Sequence, residues 1–250
     1  RFGITKKVGK DYNIAAMKLS RILSNQNGVS RKQANALVAA GTVTVDGCIC
    51  RETAWEVDRF STVACNGRVI QHGDGAHYLM LNKPAGYLSA TADKIHKTVM
   101  ELIDPELRKD LHIAGRLDRA STGLLILTND GTWSRRLTEP RVKLPKVYRV
   151  TTVEPVSTDA IERFAQGIWF EYEQLTTSPA RLEPLSANES RVTIYEGRYH
   201  QIKRMFHATG NRVSSLHREQ MGAITLDPTL KPGEFRSLTT RVLSAGGTFT

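Results

Sequence analysis

Apolar residues recur along this chain in two different patterns, and the change between them falls near residue 77. In the first stretch Leu19, Ile22 and Leu23 stand at helical spacing, and Gly28 closes the segment. Ser30 is a natural N-cap for a second helix whose apolar stripe is Ala34, Leu37 and Val38, with Gly41 as a left-handed stop. Thr42 to Gly47 then reads as a strand entering an Asp46-Gly47 hairpin turn. Two glycines among polar residues make Gln71 to Ala76 a linker, its core at 73–76.

Beyond residue 77 short strands alternate with short helices. Tyr78 to Asn82 is an apolar strand stopped by the Pro/Gly turn Lys83-Pro84-Ala85-Gly86-Tyr87. Thr98 to Ile103 predicts a short helix, and Gly123 to Thr128 a buried strand ending in the turn Asn129-Asp130-Gly131. Val147 to Val153 alternates, which puts Tyr148, Val150 and Thr152 on one face. Ser157 caps a helix with Ile161, Phe164 and Ala165 on one side and Gly167 at its end. Val192 to Tyr195 is another strand, and His200 to Ala208 a helix that turns Ile202, Met205 and Phe206 inward. Many strands, short turns and few long helices predict an α+β fold with a mixed, mostly antiparallel sheet flanked by helices.

Charge narrows the partners. The 250 residues carry a formal net charge of +10, a surplus that points to a polyanion such as nucleic acid. An anionic membrane is the weaker alternative, since no apolar run approaches the ~18 residues of a spanning helix. Residues 1–16 lack the apolar core of a secretory signal and read as a leader or tag-like segment ahead of Met17. Cys48, Cys50 and Cys65 lack paired zinc-ligand spacing, so reduced thiols in a cytoplasmic protein are expected. Residues 116–149 hold eight Lys/Arg against three Asp/Glu. Lys18, Arg21, Arg31 and Lys32 lie off the apolar stripes of the first two helices, where they can meet a phosphate backbone.

The candidate chemistry centres on Gly115-Arg116-Leu117-Asp118, one carboxylate with Arg116 and Arg119 beside it in sequence. Nearby guanidiniums favour the ionised form, which suits a nucleophile, a base or an electrostatic partner better than a proton donor. No P-loop, dinucleotide fingerprint, G-x-S-x-G or H-E-x-x-H occurs, so phosphoryl transfer, hydride transfer and zinc hydrolysis lack support.

Two resemblances extend this reading. The run Leu19-Ser20-Arg21, Gly28-Val29-Ser30-Arg31 and Gly41 to Gly47 resembles the S4 RNA-binding domain, expected over residues 17–72. Three later segments resemble the pseudouridine synthases, most closely the small-subunit ribosomal RNA (RsuA-type) branch, with a catalytic domain expected over 77–245. They are Leu81-Asn82-Lys83-Pro84-Ala85-Gly86-Tyr87, then His112 to Asp118 with Ser121 to Gly131, and Glu196 to Phe206.

That resemblance implies isomerisation of a uridine in RNA: the N1–C1′ bond breaks, the base rotates and C5 joins C1′. It makes Asp118 the catalytic carboxylate, which attacks C1′, adds to C6 or takes the 2′ proton. Lys203 becomes its basic partner and Tyr148 the active-site aromatic, stacking on the uracil and helping to remove the C5 proton. Ile202 packs on the other face of the base. Arg116 fills the space left by the extruded nucleotide or holds a flanking phosphate. Arg198 and His200 are expected to brace the loop. No cofactor or metal is implied. The implied partner is 16S ribosomal RNA or a small-subunit assembly particle, met by a monomer. A 23S RNA synthase and a non-catalytic S4-type assembly factor are the alternatives. The residues Arg119-Ala120-Ser121 depart from the polar-Thr/Ser pattern that follows the Asp in relatives, and add a cation beside it.

Overall fold

In a computed structural model the described residues are 16–239, and they divide after Ala76 into two compact units. Residues 1–15 of the leader expected at 1–16, and the last residues of the expected catalytic domain, 240–245, lie outside them.

The first unit opens with β1 (Met17–Lys18), followed by helices α1 (Leu19–Ser24) and α2 (Arg31–Ala39). A reciprocal capping box starts α2: the Ser30 hydroxyl accepts from the Gln33 N–H, and the Gln33 side chain accepts from the Ser30 N–H. Strands β2 (Val43–Val45) and β3 (Cys48–Ile49) form the expected hairpin, with positive φ at both Asp46 and Gly47 as its twisted turn requires. The strand β4 (Glu56–Val57) pairs with β1, while β5 (Val63–Cys65) and β6 (Arg68–Gln71) complete a four-stranded sheet in the order β3-β2-β5-β6. Leu19, Leu23, Ala34, Val38, Val43 and Val63 form this unit's core. The linker begins later than its glycines indicate. Gln71 belongs to β6, the Gly73 N–H donates to the Thr62 hydroxyl and the Asp74 N–H to the Arg59 carbonyl.

The second unit is built on one large sheet. Its strands are β7 (Tyr78–Lys83), β8 (His112–Ala114), β9 (Thr122–Thr128), β10 (Lys146–Thr152), β13 (Arg181–Pro184), β14 (Glu189–Ile194), β15 (Val213–Met221), β16 (Ile224–Thr225) and β17 (Phe235–Ser237). The main path runs β13-β14-β10-β15-β9-β7-β17, with β8 on β9 and β16 on β15. Every pairing is antiparallel except β15 with β9, so the sheet is mixed and mostly antiparallel.

Alternation along β7 and β9 sorts the core into two layers. Leu79, Leu81, Leu125 and Leu127 join Phe164 of α4 (Thr158–Gln166) and Met205 and Phe206 of α5 (Gln201–Ala208). Met80, Leu124 and Ile126 instead meet Trp133 and Leu137 of α3 (Gly131–Thr138). A short hairpin of β11 (Trp169–Phe170) and β12 (Leu175–Thr176) follows α4.

Three local expectations change. The turn at Asn129-Asp130-Gly131 launches α3, because the Asp130 carboxylate accepts from the Thr132 and Trp133 N–H groups. The segment after Thr98 is a 3-10 turn, Val99–Leu102. On α4, Ala160 joins Phe164 in the core while Ala165 is exposed. No helix among the described residues is long and apolar enough to cross a membrane.

Candidate active site

Asp118 sits on the loop between β8 and β9, and backbone carbonyls on both sides of it are gripped by buried cations. Upstream, Arg218 of β15 donates from Nη2 to the Gly115 carbonyl at 3.0 Å and from Nη1 to the Arg116 carbonyl at 3.4 Å. Its Nε meets the Leu124 carbonyl at 2.8 Å. Downstream, the Lys83 ammonium donates to the carbonyls of Pro84, Arg119 and Ser121 at 3.0, 3.2 and 2.7 Å. Both side chains are fully enclosed, and neither has a carboxylate within 4 Å among the described residues. Burial pushes Lys83 down to about 8, with the Asp118 charge opposing the fall and Arg218 adding to it. Between the two clamps, Leu117 exchanges hydrogen bonds with the Ser89 hydroxyl at 2.8 and 3.1 Å.

The glycines of this region answer to close approach. Gly123 pairs in parallel with Arg218, and a Cβ there would stand 2.3 Å from the Arg218 carbonyl oxygen. Its φ of 99° is also one that side-chain-bearing residues rarely adopt. Bare backbone at Gly123 thus lets β15 approach β9 and carry the guanidinium to the loop.

The Asp118 carboxylate is partnered from α5. Lys203 Nζ donates to Oδ2 at 2.9 Å, and His200 Nε2 lies 3.5 Å from Oδ1. Sequence neighbours do not supply this pairing. Neither Arg116 nor Arg119 comes within 4 Å of the carboxylate, and Arg119 Nε instead donates to the Gly86 carbonyl at 3.1 Å. The cation that pairs with the carboxylate instead comes from 85 positions downstream.

A cleft of about 460 Å³ opens over Asp118 and is lined by Arg116, Tyr148, Ile202, His200, Lys146 and Arg218, among others. Tyr148 and Ile202 are buried in its wall, whereas Arg116 is exposed at its edge. Lys203 reaches the carboxylate without lining the cleft. His200, expected to brace the loop, faces the acid instead. Its backbone is left-handed, with φ 48° and ψ 32°. Arg198 also lines the cleft, and its Nε donates to Glu196 Oε2 at 3.1 Å, while Gln201 donates to Glu196 Oε1 at 2.8 Å.

Lys83, Lys146 and Arg218 join the site without a signal in the sequence. Lys146 is half-buried, and its pKa falls through burial first and the Arg218 charge second, with Glu196 opposing. A lysine in a Pro/Gly turn and an arginine among polar strand residues give no sequence signal of enclosure. Lys18, Arg21, Arg31 and Lys32 are exposed on the first unit, and none forms an ion pair among the described residues. All three cysteines are free.

Residues 77–208 match the family model described as RNA pseudouridylate synthase. The chain is 50% identical over 222 residues to ribosomal small subunit pseudouridine synthase A of Pseudomonas aeruginosa, covering 89% of this chain and 96% of the relative. It is 46% identical over 223 residues to the protein of that name from Escherichia coli, with the same two coverages, 89% and 96%. A solved structure described as a pseudouridylate synthase is similar at 35% identity with a TM-score of 0.68, covering 92% of this chain and all of that one.

Proposed function

Because the chain belongs to the RNA pseudouridylate synthase family, we propose that it isomerises a specific uridine of 16S ribosomal RNA, with Asp118 as the reacting carboxylate. The observation that carries this reading is the Asp118 carboxylate, held against Lys203 at 2.9 Å, at the base of a cleft whose walls include Tyr148 and Ile202. The walls supply one aromatic and one aliphatic surface, the chemistry needed to sandwich a planar pyrimidine.

A uridine stacked or paired in RNA presents neither C1′ nor C6 to such a cleft. Extrusion of the nucleotide is therefore part of the reaction, at a cost of a few kcal/mol. Arg116, exposed at the cleft edge and without an ion pair among the described residues, occupies the vacated position or holds the adjoining phosphate. The Asp118 oxygen then attacks C1′, adds to C6 or removes the 2′ proton, and each route starts from the charged carboxylate that Lys203 pairs with. Once C5 has joined C1′, the proton on C5 must leave, and the Tyr148 phenol in the wall helps to remove it, passing on its own hydroxyl proton as it accepts. Lys18, Arg21, Arg31 and Lys32 contact the phosphate backbone from the S4-like unit, reading shape more than base edges. The names of the similar proteins favour the small-subunit RNA as substrate.

Tritium release from 5-tritiated uridine RNA tests the chemistry. The parent protein releases tritium, and Asp118→Asn abolishes release while its melting temperature stays close to the parent's. A variant that released tritium like the parent would overturn the assignment of Asp118. Carbodiimide modification with primer extension on 16S and 23S RNA tests the substrate, and a modified position confined to 23S RNA would refute the 16S reading.

A further inference from the structure

Tyr199 is a residue of the Glu196 to Phe206 motif that the chemistry above leaves unused. Its ring stacks on the His200 imidazole, with centroids 3.9 Å apart and planes inclined by 17°. Yet Tyr199 is 76% exposed. One neighbouring ring covers a single face, so the other face of the phenol is open to solvent.

The backbone that carries this ring is held from behind. The Tyr199 carbonyl accepts from Arg204 Nη1 at 3.4 Å, and the same guanidinium grips both carboxylate oxygens of Glu173 at 2.6 and 2.5 Å. It also lies 3.7 Å over the Phe170 ring. The β11–β12 hairpin is thereby tied to α5 at the turn that presents Tyr199. Directly after it, His200 adopts its left-handed backbone, an uncommon conformation for a residue with a Cβ.

Position gives the exposed face a use. The imidazole beneath Tyr199 lines the cleft and stands 3.5 Å from Asp118, whereas Tyr199 itself is outside the lining. Its ring is thus one aromatic layer away from the reacting acid, at the mouth instead of the interior. When a uridine is extruded, each adjoining base loses a stacking neighbour. We propose that Tyr199 is the stacking platform for an unpaired RNA base adjoining the target uridine. This rests on reading the Asp118 cleft as the uridine pocket. An aromatic face accepts any base, so the platform contributes binding and register with little preference for base identity.

The test is steady-state tritium release from a 5-tritiated 16S transcript by the full chain and by Tyr199→Ala and Tyr199→Phe. A contact made outside the reacting centre holds ground and transition states alike and appears in KM. Tyr199→Ala is expected to raise KM by about tenfold or more, the range set by loss of one stacked base, with kcat changing far less. Tyr199→Phe keeps the ring and is expected to hold KM within about twofold of the parent. An unchanged KM for Tyr199→Ala, or a fall in kcat with KM constant, would overturn the platform; the second result would make Tyr199 a support for His200 only. Failure of the parent itself to release tritium would instead sink the uridine-pocket reading.

Discussion

Lys83 offers a quantitative test of how the loop bearing Asp118 is held. Its ammonium is fully enclosed at the end of β7 and donates to three backbone carbonyls, two of them at residues just after Asp118. In the unfolded chain it titrates near 10.5, and in the folded protein near 8, chiefly because burial penalises the charged form. Between those two values the unfolded chain carries a proton that the folded chain lacks. Stability therefore rises with pH across that window; below it both states are protonated and the folded state bears the whole penalty. At about 1.4 kcal/mol per pH unit, the gap between 10.5 and about 8 amounts to about 3 kcal/mol. The perturbation is Lys83→Met, which removes the titration while filling similar space. Urea unfolding at constant ionic strength, from pH 7 to about 10.5, should show the parent gaining up to about 3 kcal/mol relative to the variant as pH rises. Lys146 titrates in both proteins and cancels from the difference. Parallel stability curves across that range would refute the claim that folding depresses this lysine.

Other consequences follow from the same geometry. Arg218→Met strips the donor from the carbonyls of Gly115, Arg116 and Leu124. A resulting shift of about 1 Å at Asp118 should lower turnover roughly 100-fold, and Arg218→Lys, unable to fork, should recover only part of it; parent-like tritium release in the Met variant would remove the clamp from the mechanism. Gly123→Ala places a Cβ 2.3 Å from the Arg218 carbonyl oxygen at a positive φ. It should destabilise by about 3 kcal/mol in thermal melts, and a loss below about 1 kcal/mol would contradict the close approach of β15 to β9.

The parts of the fold legible in the sequence are those where a local hydrogen bond and the apolar pattern agree. Ser30, Ser157 and the Asp46-Gly47 turn each do locally what their residue types favour. Tyr148, Val150 and Thr152 are buried along β10 because alternation has one reading in a strand with one face inward. The misreadings arise where a local signal serves two structures. An Asn-Asp-Gly run closes hairpins, yet the same Asp side chain caps α3 by accepting from the two N–H groups that follow it. What decides between them is Trp133 and Leu137 packing on the sheet, a contact between distant segments. The strand β15 is hidden in the sequence for the opposite reason. His217, Arg218, Glu219 and Gln220 look like loop, but Glu219 pairs with Arg191 at 2.8 Å and Arg218 is consumed by carbonyls.

The same limit governs the site. Motif resemblance located Asp118, Tyr148, Lys203 and Ile202, three of which line one cleft while Lys203 reaches the carboxylate from behind. It did not locate the clamps, because their acceptors are backbone carbonyls, which every residue has and no side chain advertises. A division of labour follows from that arrangement. Lys83 and Arg218 commit their hydrogen bonds to main-chain oxygens and fix where the acid stands, leaving the carboxylate itself to Lys203 and His200. Their positive charges are not neutralised by any carboxylate within 4 Å among the described residues, so the field around Asp118 retains a cationic excess. That excess suits a nucleotide that arrives with a phosphodiester on each side. The enclosure that positions the Asp118 carboxylate thus also favours an approaching polyanion.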